Sequence, residues 1–377
     1  MSYRRERCGH CGVELQFPLD AKSVRCAACH AITTVRTRDP VKQAANWIKG
    51  FVNHVAYNAI NSLSSSSSSP LWASEPYTYQ SLRPPTYPQV HGKKRALLCG
   101  VSYRQRWNEL KGTINDVNCM KYLLCDRFGF SPNSILMLTE DERDPYRIPT
   151  KQNMRTAMRW LVQDCQPGDS LVFHYSGHGS QQRDSSGDEI DGYDETLCPL
   201  DYETVGMIVD DEINETIVRP LPEGVKLHAI VDACHSGTVL DLPFLCRVNR
   251  CSYGYYQWEN HNPPSGAYKG TSGGEAVSFS GCDDHQKSSD TSALSEGTNT
   301  GTMTYCFIQA LLTGSGTTYG SLLNAMRSAI RGAHSGLIGG NGPLTCLLKR
   351  VLWEGMKQEP QLTSSKQFDI YRTPFCL

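Results

Sequence analysis

Two stretches decide the fold: LVFHYSGHGS, Leu171–Ser180, and AIVDACHSGT, Ala229–Thr238. Each is an apolar run of strand length that breaks into small residues and reactive side chains. A short buried run bounded by glycine reads as a strand of a covered sheet. Moving outward, RALLCGVSY (Arg95–Tyr103), SILMLTE (Ser134–Glu140), DSLVFHYSG (Asp169–Gly177) and KLHAIVDAC (Lys226–Cys234) read the same way. Between them, Asn115–Phe128 and Thr150–Cys165 have helical character, and the second places Met154, Ala157, Met158 and Leu161 on one face. Strands alternating with helices predict an α/β domain, a mostly parallel sheet with helices on both faces. In such sheets the chemistry lies beyond the carboxyl ends of the strands.

Those ends carry His178, in Gly-His-Gly, and Cys234, in Asp-Ala-Cys-His-Ser-Gly. A cysteine becomes a nucleophile as its thiolate, and a histidine on a neighbouring strand end can take the proton. The surrounding glycines leave room for a substrate backbone, and the amides near Gly179 and Cys234 could form an oxyanion hole. The plainer reading is a buried structural cysteine and a packed histidine; two such motifs together favour the nucleophile–base pair. His235 is not the expected base, because adjacent strand residues point to opposite faces.

The chain has 377 residues, with 37 Lys+Arg and 38 Asp+Glu. That balance argues against a uniformly basic nucleic-acid binder, and 39% hydrophobic residues supply a core. No run approaches the ~18 apolar residues of a membrane span, and the first residues lack the apolar stretch of a secretory signal. A reducing compartment is the default expectation, so the 16 cysteines are not read as a disulfide framework. The balance hides an asymmetry: residues 1–95 carry 13 basic and 5 acidic residues, a net of +8, and the remainder carries 24 and 33, a net of −9.

In the basic segment, Cys8, Cys11, Cys26 and Cys29 form two C-x2-C pairs. Four thiolates suit a tetrahedral zinc ion, and a segment this short needs such a staple to fold. His10 and His30 lie beside the ligands; the four cysteines are preferred over them, and over a pair of redox motifs. Residues 44–63 place Ala44, Ile48, Phe51, Val52, Val55, Ala59 and Ile60 on one helical face. Six serines, Ser64 to Ser69, and a Pro/Tyr stretch to Pro88 follow as a flexible linker. Farther on, residues 184–215 hold twelve acids and no Lys or Arg. Such a run is ordinarily a solvated face; oxygen-rich acids that recur near a strand end also suit calcium. Asp232, two before Cys234, points to the same face as the cysteine. Asp116 reads equally well as an acid at the start of a helix or as a second carboxylate near the site.

The segments KRALLCGVSY, ELKGTINDV, HYSGHGSQ, GDEIDGYDETLCPLD, IVDDEI, DACHSGTVLDLPF and EAVSFSGCDD resemble the metacaspases, specifically the plant type I class. The amino-terminal cysteine pairs with LQFPLDA between them resemble the zinc ribbon of plant lesion-simulating-disease-type proteins. The resemblance covers residues 5–35 and 92–377 and leaves the linker unmatched. Cys234 follows His178 by 56 residues, close to the ~50 of caspases. The resemblance implies a caspase-like fold, a His178/Cys234 dyad, and calcium held by Asp194, Asp210, Asp211 and Asp241. It also assigns Asp116, Ser176 and Asp232 to the primary specificity pocket, where two carboxylates would pair with Arg or Lys and reject Asp. Where the family often has a longer aspartate run, this chain has Cys282-Asp283-Asp284-His285, and no catalytic duty is assigned there.

The expected organisation is a zinc ribbon at 1–35, a helix and linker at 36–91, and a peptidase domain at 92–377. The last divides into a large-subunit-like part to about 245, an exposed connector at about 246–274 and a small-subunit-like part. The expected activity is a calcium-switched cysteine endopeptidase acting on proteins with Arg or Lys before the scissile bond. It would process itself in the connector, at Lys269, Arg247 or Arg250, with Lys269 favoured because it sits among Gly, Ser and Tyr. From the resemblance, a role in programmed cell death or stress responses, in cytoplasm or nucleus, is expected. Neither membrane nor nucleic acid is an expected partner; a protein at the zinc ribbon is. The rival reading is a zinc-ribbon interaction or regulatory protein whose protease activity is secondary.

Overall fold

A computed structural model of the chain describes residues 3–7, 13–18, 23–30, 32–34, 93–184, 186–187, 189, 192–233, 237–248, 256–263, 265–281, 290–295, 298–312, 317–335 and 360–377. The expected helix at 44–63 and the serine linker lie outside them. Two compact units divide the chain, residues 1–48 and 49–377.

In the first unit, Tyr3–Arg7 pairs antiparallel with Glu14–Pro18, and Ser23–Arg25 with Ile32–Thr34. Cys26 and Cys29 stand in the turn of the second hairpin, Cys26 buried and Cys29 exposed. The turn is closed by the His30 amide, which donates to the Cys26 carbonyl at 2.9 Å. Cys8 and Cys11 fall between the strands of the first hairpin and lie outside the described residues. The second C-x2-C pair thus occupies a hairpin turn, a placement that can present two thiolates to one ion.

The second unit is built on an eight-stranded sheet. Its strands are β1 (Lys94–Gly100), β2 (Ile135–Thr139), β3 (Ser170–Ser176), β4 (Lys226–Asp232), β5 (Phe244–Val248), β6 (Tyr256–Asn260), β7 (Glu275–Ser280) and β8 (Gln361–Ser364), in the spatial order β6-β5-β8-β7-β4-β3-β1-β2. The five strands β7, β4, β3, β1 and β2 run parallel; β8, β5 and β6 extend one edge antiparallel. The parallel strands are mostly apolar because both faces are covered, with His174 and His228 among the few buried polar residues. Leu97, Cys99, Leu171, Phe173, Leu227, Ala229 and Val231 pack with Met154, Ala157, Met158 and Leu161 of helix α2 (Lys151–Val162). On the other face, helix α1 (Thr113–Phe128) lies against β1 and β3, and helix α3 (Thr302–Leu312) against β4 and helix α4 (Tyr319–Ser335). Thr150 starts α2 by accepting the Asn153 amide at its side chain, the expected capping chemistry. Gly129 ends α1 in the left-handed conformation.

The connector departs from expectation. Phe244–Val248 and Tyr256–Asn260 are edge strands of the main sheet, and Val248 pairs with Tyr256. The boundary placed at residue 246 cuts through a strand. The run FLCRV has the β-branched and aromatic residues that signal one, beside an unpaired edge left open by β8.

Candidate active site

Ser176 ends β3, and the chain turns at Gly177. A methyl group there would lie 2.5 Å from the Tyr175 hydroxyl, so only glycine lets the strand end fold over that ring. His178 follows, half-buried. Its amide donates to the Tyr103 hydroxyl at 3.1 Å, and its carbonyl accepts from the Tyr175 hydroxyl at 2.8 Å and the Cys198 amide at 3.0 Å. The imidazole lies against the Tyr103 ring, centroids 4.7 Å apart. Its Nε2 is 2.7 Å from the Asn108 carbonyl oxygen. A carbonyl can only accept, so Nε2 carries the proton and Nδ1 keeps the lone pair of a base. The Asn108 main chain is therefore the orienting third partner of the histidine.

The loop that supplies Asn108 is held by β2. Glu140, just beyond that strand, accepts from the amides of Ser102 (2.6 Å), Tyr103 (2.6 Å) and Arg104 (3.1 Å). This charge-assisted clamp holds Tyr103 in the left-handed region, at φ 52°. Sequence reasoning missed Asn108 and Glu140. The first acts through a main-chain group that any residue carries; the second, at the carboxyl end of a predicted strand, was within reach.

Cys234 lies outside the described residues, and the strand that leads to it is well placed. β4 and β3 pair parallel with Asp232 opposite Ser176, and the Gly177 amide donates to the Asp232 carbonyl at 3.2 Å. Cys234 and His178 thus each follow a register-paired residue by two positions, on adjacent strands.

Asp116, Ser176 and Asp232 come together beneath this edge. The Ser176 hydroxyl donates to Asp116 Oδ2 at 2.7 Å, and the Gly301 amide lies 3.0 Å from both carboxylate oxygens of Asp116. Asp232 Oδ2 accepts the Thr304 amide at 2.7 Å. Both carboxylates are buried, Asp116 completely. Gly301 and Thr304, at the start of α3, were not foreseen, since nothing local ties them to residues so distant in the chain.

A second acidic group gathers around the antiparallel strands Gly179–Arg183 and Tyr193–Leu197. Asp194, Asp210 and Asp241 are buried and Asp211 is half-buried. Asp210 accepts the amides of Glu195 and Asp211, each at 2.9 Å. Burial first, then the charge of Glu195, pushes the Asp210 carboxyl far above its usual range. Burial likewise raises Glu189, with Asp241 and Glu195 adding to it and Lys269 opposing. Among the described residues no three of these groups take up metal-ligating geometry. The acids lie close enough for Glu195 and Asp241 to raise both Asp210 and Glu189, and carboxylate oxygens are the ligand type a hard cation takes.

Lys269 corrects an expectation. The sequence favours it for self-cleavage as a residue with little apolar cover, but it is 3% exposed. Its ammonium lies 2.5 Å from both Glu189 Oε1 and Asp241 Oδ1. Burial works against the charge, but the two carboxylates overcome it and raise the lysine's pKa. Asn214 fixes the neighbouring backbone, donating to the carbonyls of Leu240, Asp241 and Lys269. Arg247 is exposed on β5 and paired with Glu259 at 3.5 Å. Arg250 lies outside the described residues.

Comparison with known proteins agrees with this arrangement. Residues 94–243 match the family model for the metacaspase peptidase C14 domain, and residues 8–32 match the LSD1 zinc finger. The chain is 57% identical to Metacaspase-1 of Arabidopsis thaliana, covering 98% of this chain and 95% of that one. It is 49% identical to Metacaspase-3 of the same plant, covering 100% of both chains. Against Metacaspase-1 of Cryptococcus neoformans identity is 40%, covering 66% of this chain and 62% of the relative. With a zinc finger before a caspase-like sheet that ends in His178 and leads to Cys234, the chain belongs to the metacaspases, caspase-like cysteine endopeptidases.

Proposed function

We propose that this metacaspase cleaves proteins after Arg or Lys, that calcium activates it, and that it processes itself on activation. The observation that carries the specificity is the grouping of Asp116, Ser176 and Asp232 beneath the edge from which His178 and Cys234 extend. Two buried carboxylates there attract a substrate's guanidinium or ammonium, and leave a substrate aspartate with like charges.

Nδ1 of His178 takes the proton of the Cys234 thiol, and the sulfur attacks the scissile carbonyl carbon. The C–N bond breaks as His178 returns the proton to the departing amine. Water, deprotonated by the same histidine, then hydrolyses the thioester. Asn108 keeps the imidazole from rotating through both steps.

Asp194, Asp210, Asp211 and Asp241 would hold calcium, which supplies positive charge to a loop whose acids otherwise repel one another. In the described state Lys269 supplies part of that charge, so cation binding at Asp241 is coupled to release of Lys269 and the backbone around it. Self-processing then belongs to an accessible basic residue of the 246–274 segment, with Arg247 exposed in the resting chain. The zinc finger is read as a partner-binding module, and a role in programmed cell death or stress responses, in cytoplasm or nucleus, completes the proposal.

The test is a peptide panel with Arg, Lys or Asp before the scissile bond, offered to wild type and Cys234→Ala with calcium and with chelator. Cleavage of Arg and Lys peptides by wild type in calcium alone is expected. Equal cleavage of the Asp peptide would remove the pocket reading, and full activity in chelator would remove the switch.

A further inference from the structure

Asp116 is 0% exposed and Asp232 6% exposed. A pocket meant to read a substrate cation would need these carboxylates within reach, yet main chain lies against them. Gly301 ends the strand Thr298–Gly301 and α3 begins at the next residue. A methyl group on Gly301 would lie 2.2 Å from Asp232 Oδ2 and 2.9 Å from Asp116 Oδ2. One backbone position is therefore wedged between both acids, and only a residue without Cβ fits there. The hydrogen bonds agree: the Gly301 amide serves Asp116, and the Thr304 amide, three residues on, serves Asp232 at 2.7 Å. Two N–H groups on one short segment meet two carboxylates, as the N–H groups of a guanidinium do.

We propose that Gly301 is a specificity-determining residue. Having no side chain, it lets the Gly301–Thr304 backbone close on Asp116 and Asp232 in the resting chain, and it gives up that place to the guanidinium or ammonium of a substrate. This rests on the Arg/Lys reading above. Glycine suits the role because it alone fits between the acids. Each amide donor lost to a carboxylate is replaced by a donor of the substrate, and the released Gly301 and Thr304 amides turn to water. A neutral side chain of the same shape brings no charge and does not drive the swap. The alternative is an anchor: two aspartates that hold the start of α3 and never touch substrate.

Amide hydrogen exchange separates the two. The full-length Cys234→Ala protein, in calcium, is mixed with a peptide ending in Arg or with the same peptide ending in citrulline, the neutral isostere. The Arg peptide is expected to speed exchange at Gly301 and Thr304 by about tenfold, and the citrulline peptide to leave it unchanged. An Arg peptide that binds while those amides stay equally or better protected overturns the proposal and leaves the Arg/Lys reading standing. If wild type cleaves Arg and citrulline peptides alike, both fall.

Discussion

Among the described residues of the peptidase domain, two carboxylate pairs are met with different donors. At Asp116 and Asp232 the donors are main-chain amides and a hydroxyl. At Glu189 and Asp241 the donor is the Lys269 ammonium. Neutral donors fill lone pairs and cancel no charge, whereas an ammonium cancels one. In a low-dielectric interior that difference decides what each set can bind. A single positive charge gains by replacing the amides, which fits a substrate side chain. A single positive charge replacing Lys269 gains nothing, whereas a divalent ion adds a charge. The first set is thus matched to a monovalent substrate group and the second to a divalent ion.

The harshest way to break this comparison is to show that neither set serves the chemistry. Cys234→Ala is expected to lower peptide cleavage by about 10⁴-fold or more, with the folded state kept, because it removes the nucleophile. His178→Ala is expected to come close to the same loss. Cleavage surviving Cys234→Ala at more than a trace would move the active centre away from both acid sets.

Next in size is the ammonium. Lys269→Met keeps the bulk and removes the charge, leaving Glu189 and Asp241 facing each other in a buried place. Losing one partner of such a pair costs about 3–5 kcal/mol. The variant is expected to melt well below wild type in chelator and to recover more of that loss than wild type gains when calcium is added. Calorimetry is expected to show tighter calcium binding, since no internal cation has to leave. Unchanged melting and unchanged affinity would mean that Lys269 and calcium do not share a site.

The two sets also differ in how much of them the sequence reveals. The strands under Asp232 and Ser176 were legible because both faces of a parallel sheet are apolar, and the register then fixes what meets at their ends. The burial of Lys269 was not, because local Gly, Ser and Tyr speak for exposure and its partner Glu189 lies 80 residues away. Gly301 escaped for a related reason: a glycine before an apolar helix looks like ordinary punctuation, and its contact with Asp116 spans 185 residues. Asn108 holds His178 through a carbonyl that every residue carries. Side-chain chemistry at strand ends can be read along the chain; main-chain partners and long-range ion pairs need the fold.

Charge removal at the neutral-donor set is expected to act on turnover more than on calcium. Asp232→Ala should lower kcat/KM for Arg and Lys peptides by about 10²–10³-fold, a few kcal/mol of lost pairing. Calcium affinity by calorimetry should stay at the wild-type value. Asp241→Ala should do the reverse, weakening calcium binding and leaving the Arg-over-Asp preference of the remaining activity intact. Variants that move both readouts together would merge the two sets into one site.

The smallest effect is expected at Ser176, and it tests the neutral donors most finely. Its hydroxyl gives its proton to Asp116 Oδ2, from a position buried beside Asp232. With that bond removed, Asp116 still has the Gly301 amide in the resting state, so Ser176→Ala should fold normally and lose about tenfold in kcat/KM at most. The loss should be unequal. A guanidinium is a planar fork that can engage both carboxylates at once. An ammonium is shorter in reach and seeks a third acceptor, which the Ser176 oxygen provides once its proton is turned away. Ser176→Ala should therefore raise the Arg-to-Lys preference, measured as the ratio of kcat/KM for matched peptides. A ratio that stays put would mean that Ser176 only braces Asp116, and that the carboxylates alone read the substrate.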